Sequence, residues 1–514
     1  MPWSTIVPAL LTGAGLSFFV EHLLQPGVLP FWRRPRAAFA LHFGLWLLAF
    51  AFELVLFRRP WFAVANILAV LLVVVLVSNA KFQSLREPFI FQDFEYFTDT
   101  LKHPRLYLPF FGLGKALLAA SGYGAALFAG LSFETSLTGQ VSGSTFAIMV
   151  ALLVITGSTL LWLGSKGKLP VTFQPETDLK RLGLVASLWR YGQEERSDWP
   201  VSAPHEFAGP AEGLPEDLPA LVVVQSESFF DVRELFTGIR PEILQQFDSL
   251  KTSAVCHGKL AVPAWGANTV RTEFSFLSGL SPEILGVHRF NPYRKLARKE
   301  LPTLVSLLKG LGYRTVCVHP YPAAFYARDT VFPNLGFDEF LDIDSFDGIE
   351  KTGPYIGDVD LAEKVCSLLK ELAPQPLFLF VITMENHGPL HWEKVQEGDT
   401  ERFYTKPPPD RCTDLTIYLR HLANGDRMAR MVRDCLESLP GSGWLCWFGD
   451  HVPIMPGVYA EMGVPDGRTD YLIWRKGGAP GSGMRRDMQA EQLACRLLTE
   501  MGLIIPEMRE NPSS

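Results

Sequence analysis

A chain of 514 residues is longer than one ordinary domain. Its 48% hydrophobic and 20% charged residues average two unlike parts: a strongly apolar portion to about residue 165, and a remainder with the charge density of a soluble protein. A formal net charge of −7 argues against a nucleic-acid partner, which calls for a basic surface.

Five apolar stretches reach or approach the roughly 20 residues that a bilayer crossing needs. They are Trp3–Leu24, Ala37–Phe57, Trp61–Ser78, Leu106–Phe133 and Thr145–Gly164. The first has no basic leader and no small-x-small cleavage site, so it reads as a retained helix rather than a signal peptide. Five spans put the two chain ends on opposite faces. A count of loop cations assigns Lys81, Arg86, Lys102 and Arg105, and with them the soluble part, to the cytoplasm. The same loop also holds Glu87, Asp93, Glu95 and Asp99, with a Phe-rich stretch suited to the interface. Glu21, His22, Glu53 and Lys115 lie within or near the span ends, where snorkelling to headgroups competes with a role toward substrate.

Residues 166–215 read as a connector punctuated by Pro200, Pro204, Pro210 and Pro215, with a short amphipathic helix over Glu176–Arg190 lying along the membrane. Beyond Leu218 the pattern alternates. Strands are expected at Ala220–Val224, Arg314–His319, Leu377–Thr383, Trp444–Phe448 and Tyr471–Trp474. Helices are expected at Pro241–Leu250, Leu301–Leu311, Val359–Leu372, Leu422–Leu439 and Arg485–Met501. Helices between short apolar strands predict an α/β domain whose mostly parallel sheet is covered by helices on both faces. The expected division is a transmembrane domain 1–165 of five helices, a connector 166–215, a catalytic domain 216–505 and a tail 506–514. All seven Cys fall between Cys256 and Cys495 without CxxC or zinc-finger spacing, and read mostly as buried thiols.

Three of these strands run into polar clusters: Ser226-Glu227-Ser228, Glu385-Asn386-His387 and Asp450-His451. Open α/β sheets bind ligands beyond the carboxyl ends of their strands, so the clusters point to one metal-dependent site. Asp450 and His451 offer oxygen and nitrogen ligands to a divalent cation, and Gly449 permits a sharp turn that presents them together. Glu227 directly follows an apolar run, where a buried carboxylate is costly unless a charge meets it. Thr269, in Asn268-Thr269-Val270-Arg271-Thr272-Glu273-Phe274, is the candidate nucleophile, because coordination to a divalent ion lowers a hydroxyl pKa. From the residues alone a helix N-cap is the preferred explanation of Thr269 or Thr272.

Glu227 after its strand, the Asn268–Phe274 stretch, Asn386-His387-Gly388-Pro389 and Phe448-Gly449-Asp450-His451-Val452-Pro453 together resemble lipoteichoic acid synthases and related phosphoglycerol transferases, in the sulfatase branch of the alkaline phosphatase superfamily. The apolar anchor and the Arg86-Glu87-Pro88 loop are similar to theirs, so the resemblance covers nearly the whole chain. It implies a multi-pass protein of the bacterial inner (cytoplasmic) membrane with an extracytoplasmic catalytic domain, against the loop-charge count. It implies that Glu227, Thr269, Asp450 and His451 bind one divalent cation, Mn²⁺ before Mg²⁺ or Zn²⁺, with Thr269 the nucleophile. It further implies that His319, Arg328 and His387 hold a phosphoglycerol headgroup; Tyr326 stands where relatives carry Trp. The reaction implied moves glycerol phosphate from phosphatidylglycerol, through a threonine-bound intermediate, to an envelope glycan or a glycerol-phosphate polymer, the glycan being favoured. Phosphoethanolamine transfer to lipid A or a glycan is the alternative. A sulfatase activity is disfavoured because no Cys/Ser-x-Pro-x-Arg stretch is present. A scaffold without turnover is the remaining class.

Overall fold

The computed structural model describes residues 3–95, 113–196, 217–297, 301–479 and 483–505, together with the isolated positions 207, 209, 214, 215 and 481. The chain divides into two compact units, Met1–Asp198 and Trp199–Ser514.

The first unit is helical. It contains α1 (Trp3–Glu21), α2 (Arg36–Phe57), α3 (Pro60–Leu85), α4 (Leu113–Phe133), α5 (Gly143–Lys166), α6 (Pro175–Leu182) and α7 (Leu184–Arg196). Among the described residues, four helices (α1, α2, α3 and α5) are long and apolar enough to cross a bilayer, not the five expected. The span expected at Leu106–Phe133 begins outside the described residues. Its described part, α4, is a continuous helix that carries the small and polar run Ser121-Gly122-Tyr123-Gly124, and nothing is described of the Lys115 side chain. Ile6, Ala9, Trp46, Phe50, Ala63 and Met149 bury one another between α1, α2, α3 and α5. Helices α2 and α5 cross at glycines: a Cβ on Gly44 would lie 2.9 Å from the Gly157 carbonyl oxygen, and one on Gly157 3.0 Å from that of Gly44. Small residues at such crossings let backbones approach closely in a membrane, where no hydrophobic force drives helices together.

The single connector helix expected over Glu176–Arg190 is two helices, broken at Gly183, whose φ of +80° suits only glycine. Glu21, expected to reach lipid headgroups, is instead buried and paired. It binds Arg34, lies 3.5 Å from His42 Nδ1, and accepts the backbone N–H groups of Leu184 at 2.9 Å and Val185 at 3.3 Å. Glu53 accepts from Asn66 Nδ2 at 2.7 Å, and His22 Nδ1 donates to the Phe18 carbonyl at 2.7 Å. Lys81 is bound by Glu87 at 2.7 Å and Asp93 at 2.6 Å, which offsets one cation of the loop-charge count. Breaking a buried pair by deleting one partner strands the other charge, so Glu21→Ala is expected to cost this unit about 3–5 kcal/mol. A lowered melting temperature in detergent checks this.

The second unit is built on one sheet. Its strands are β1 (Ala220–Ser226), β2 (Cys256–Ala261), β3 (Arg314–Val318), β4 (Glu339–Leu341), β5 (Leu377–Ile382), β6 (Gly443–Gly449), β7 (Thr469–Arg475), β8 (Met484–Arg485) and β9 (Met488–Gln489). Their order is β4-β3-β5-β1-β6-β7-β2-β8, with β9 also pairing β2. The run from β4 to β6 is parallel, as expected, while β7 is antiparallel to both β6 and β2. The major helices are α8 (Thr269–Ser278), α9 (Arg328–Leu335), α10 (Asp358–Leu372), α11 (Thr413–Ser438) and α12 (Ala490–Glu500).

Both sheet faces are covered. Val222, Val224, Leu379 and Val381 pack with Leu361 and Val365 of α10 and Leu419 and Leu422 of α11. Leu221, Val223, Phe378 and Phe380 pack on the other face with Phe274 and Leu277 of α8 and Leu493 and Leu497 of α12. Burial on two sides is why these strands read as continuous apolar runs rather than alternating ones. All seven Cys are free thiols, five of them buried.

Candidate active site

The site begins with strand register. Strands β1 and β6 are parallel neighbours, and Ser226 lies opposite Gly449. The next residue on each strand is therefore Glu227 or Asp450, side by side at the carboxyl end of the sheet. Ser228 turns the chain away from β1 in the left-handed region, at φ +53°. Its N–H donates to Asp450 Oδ1 at 2.8 Å and its hydroxyl to Glu227 Oε1 at 2.9 Å. The Glu227 N–H donates to Thr383 Oγ1 at 3.0 Å, just past β5.

Gly449 was expected for a sharp turn, but its φ is not positive. Its lack of a side chain is needed for another reason: a Cβ there would overlap the Phe229 carbonyl oxygen. Backbone from the β1 turn passes so close to β6 that only glycine fits.

Glu227, Asp450 and His451 are buried, with one ligand atom from each lying within 4.8 Å of the others. His451 Nδ1 faces the Val452 carbonyl at 3.2 Å, an oxygen that can only accept, so Nδ1 carries a proton in that contact. Nε2 then turns toward Glu227 Oε1 at 3.5 Å and Asp450 Oδ2 at 3.4 Å. Asp450 Oδ2 is buried and has no hydrogen-bond partner. Burial, and then the neighbouring charge of Glu227, push the Asp450 carboxyl up to about 7. Two carboxylates and an imidazole nitrogen converging on an unpartnered Asp450 Oδ2 fit a divalent cation, and the donor set suits Mn²⁺, Mg²⁺ or Zn²⁺.

Thr269 opens α8, and its side chain lies near enough to the Asp450 carboxyl to draw its pKa down against the effect of burial. The N-cap position is held by Asn268, in the left-handed region at φ +67°, and Thr272 lies inside the helix, so neither threonine is the cap. The Thr272 hydroxyl donates to the Asp450 carbonyl at 2.7 Å, which ties α8 to the end of β6.

His319, Arg328 and Tyr326 form a second group. His319 follows β3 directly; its Nδ1–H donates to the Ile382 carbonyl at 3.1 Å, and its Nε2 accepts from Arg328 Nη1 at 3.3 Å. Burial, and then the Arg328 charge, hold this imidazole well below its ordinary pKa, so it is neutral. Arg328 is buried against Glu273: Nε donates to Oε1 at 3.1 Å and Nη2 to Oε2 at 2.9 Å. Its guanidinium lies 5.3 Å from the centre of the Tyr326 ring. Tyr326 and Ala327 are consecutive non-glycine residues in the left-handed region, at φ +58° and +54°. Each costs about 1–2 kcal/mol of backbone strain, which packing around the turn must offset.

His387 is joined to this group through rings: Tyr355 lies 5.6 Å from it, Tyr321 6.3 Å from Tyr355, and His319 6.2 Å from Tyr321. The charge of Glu227 acts on both Tyr326 and Tyr355.

Glu273, Tyr321 and Tyr355 were not singled out from the sequence. Glu273 had a usable signal, an acid one helical turn after Thr269 on a buried helix; Tyr355 sits in a turn-rich segment that offered none. Glu385, although part of a strand-end cluster, has a structural task. Its carboxylate accepts the Asp358 N–H at 2.6 Å at the start of α10 and Asn424 Nδ2 at 2.6 Å.

The sulfatase family profile matches residues 219–496, more than half of the chain. The chain belongs to the sulfatase family, within the alkaline phosphatase superfamily, whose enzymes work with a divalent metal. It is similar to the capsular polysaccharide biosynthesis protein RkpI of Rhizobium meliloti, with 29% identity over 442 residues, 81% of this chain and 77% of the relative. A putative cyclic beta-1,2-glucan modification protein of the same organism is 27% identical over 252 residues, 49% of this chain and 38% of the relative. Lipoteichoic acid synthase-like proteins are also among its relatives, in keeping with the resemblance carried by the motifs. The fold is shared with the lipooligosaccharide phosphoethanolamine transferase EptA of Neisseria meningitidis at a TM-score of 0.55 and 13% identity, over 90% of this chain and 88% of that one. The chain is thus a membrane protein with a C-terminal sulfatase-family domain.

Two outcomes are expected. A metal ligand must be deprotonated, so below pH 7 affinity for a divalent cation should fall by about tenfold per pH unit as Asp450 takes up its proton, and should level off above pH 7. Metal titration by calorimetry between pH 5.5 and 8.5 reads both regimes. Gly449→Ala should force β1 and β6 apart and weaken Mn²⁺ binding by about tenfold or more, as a misplaced ligand does.

Proposed function

We propose that the protein is a membrane-anchored phosphoglycerol transferase that takes glycerol phosphate from phosphatidylglycerol and delivers it to an envelope glycan. The observation that carries this reading is the buried cluster of Glu227, Asp450 and His451, with Thr269 at the start of α8 acting on the Asp450 carboxyl. The catalytic domain works on the extracytoplasmic face of the bacterial inner membrane. A divalent cation held by Glu227, Asp450 and His451, Mn²⁺ in this reading, supplies Lewis acidity to a hydroxyl and a phosphate oxygen.

The chain's own residues do the remainder. Thr269 Oγ1 forms a bond to the donor phosphorus, and the bond from phosphorus to the diacylglycerol oxygen breaks. Diacylglycerol leaves with the proton that Thr269 gives up. Glycerol phosphate stays esterified to Thr269, held by Arg328, His319 and His387. The cationic Arg328 balances charge on the equatorial phosphate oxygens, where such reactions gain most of their rate, and the neutral His319 accepts from its Nη1 and holds it in place. An acceptor hydroxyl then attacks the same phosphorus in line, and its proton returns to Thr269. Tyr326, where relatives carry Trp, packs against Arg328 and shapes the headgroup site. The membrane anchor keeps the lipid donor at high effective concentration.

The glycan acceptor is supported by the two Rhizobium relatives, whose names refer to a capsular polysaccharide and a cyclic glucan. A glycerol-phosphate polymer is the other acceptor of this chemistry. The fold shared with EptA keeps phosphoethanolamine transfer as the second reading.

The test uses the full chain in detergent with Mn²⁺ and phosphatidylglycerol carrying a labelled headgroup. Mass spectrometry is expected to find a glycerophosphoryl adduct on Thr269, and Thr269→Ala to lower transfer by at least about 10³-fold, the scale of losing a nucleophile. An ethanolamine phosphate adduct formed from phosphatidylethanolamine instead would install the second reading. Full transfer by Thr269→Ala would reject both.

A further inference from the structure

Arg328 has five N–H donors in a fixed plane. Three are engaged: Nε–H and one Nη2–H by Glu273, and one Nη1–H by His319. Two remain, one on each Nη nitrogen, which is the fork that grips two oxygens of a phosphate. The orientation of that fork is set from behind by Glu273.

Glu273 is itself fully used. Its Oε1 accepts from Arg328 Nε and the Tyr293 hydroxyl, and its Oε2 from Arg328 Nη2 and Gln225 Nε2, the last at 3.1 Å. Both Glu273 and Arg328 are buried. Glu273 also shares α8 with Thr269, four residues away, so the two tasks of that helix are separated by about one turn, a rise of about 6 Å.

We propose that Glu273 is a positioning residue for substrate phosphate: α8 holds the attacking Thr269 hydroxyl and, one turn later, the carboxylate that aims the Arg328 fork, so a single rigid helix sets the spacing between nucleophile and phosphate grip. This rests on the reading of Arg328 as a phosphate contact. The strained Tyr326-Ala327 turn delivers Arg328 into the interior, and the pair with Glu273 is what receives it there. The neutral His319 fits the same arrangement, since its Nε2 accepts from Arg328 and needs no proton of its own.

A Gln at 273 keeps the shape but not the acceptor set. Each carboxylate oxygen receives one Arg328 N–H, so the amide –NH₂ must face a guanidinium donor in either orientation, and one arm of the clamp is lost. Aim and charge predict opposite signs. If Glu273 positions the fork, Glu273→Gln weakens phosphate binding. If it only damps the Arg328 charge, the same change tightens it.

The experiment measures sn-glycerol 1-phosphate binding to the Mn²⁺-loaded full chain in detergent by calorimetry, with Mn²⁺ affinity and melting temperature recorded for each variant. The expected result is an affinity loss of about tenfold or more for Glu273→Gln, the scale of a lost charged hydrogen bond, with Mn²⁺ affinity unchanged. In transfer assays the donor KM should rise more than kcat falls. Glu273→Asp keeps the charge but retracts the carboxylate by one methylene, and should lose affinity as well; it serves as the second variant should Gln fail to fold. Unchanged or tighter binding in the variants that fold would overturn the inference while leaving the proposed function standing. Absence of binding to the wild-type chain would reject the phosphate-contact reading of Arg328, and the inference with it.

Discussion

The in-register pairing of β1 with β6 is the constraint from which the active-site geometry follows. Because Ser226 lies opposite Gly449 in parallel strands, the first residues beyond them, Glu227 and Asp450, have to emerge together. Both strands are buried on two faces, so the carboxylates arrive where water does not solvate them. Charge brought together in that way demands a counter-charge, and His451 alone does not satisfy Asp450 Oδ2. A one-residue slip in this pairing would send the two acids to different places along the sheet edge. The closeness of Phe229 to Gly449 helps guard the register, because a side chain at 449 would not fit.

Helix α8 is the second organising element. Its first residue meets the Asp450 carboxylate, its fourth binds the backbone of Asp450, and its fifth receives Arg328. Ten residues of helix thereby connect the carboxylate cluster to the His319–Arg328 pair. Its far side packs into the sheet core through Phe274 and Leu277. The helix is polar toward the site and apolar toward the sheet, and it cannot shift on one side without disturbing the other.

Much of this was legible in the sequence because the parallel strands are continuous apolar runs with charged residues immediately after them. Glu227, Asp450 and His451 could be named for that reason, and Ala220–Val224 and Trp444–Phe448 nearly match β1 and β6. What escaped was set by tertiary contact. Strand β2 mixes His257, Gly258 and Lys259 with apolar residues, and gains its strand character from pairing with β7. The short β8 and β9 lie where a helix starting at Arg485 was expected; pairing with β2 delays α12 to Ala490. The role of Gly449 was misjudged because a sequence displays turns but not the distance of another strand's carbonyl. Arg328 was named only through the family resemblance, since nothing near it in sequence announces Glu273 as a partner.

In the membrane unit, the Glu21 carboxylate has an assembly meaning beyond its contribution to stability. Arg34 and His42 follow it closely in the chain, whereas the two amides that complete its shell, from Leu184 and Val185, come more than 160 residues later at the opening of α7. During synthesis the first helix therefore carries an acid whose coordination stays incomplete until the last helix of the unit has been made. When α7 arrives, its unpaired N-terminal N–H groups and the waiting carboxylate satisfy each other. The two ends of the unit are thus tied at one buried carboxylate.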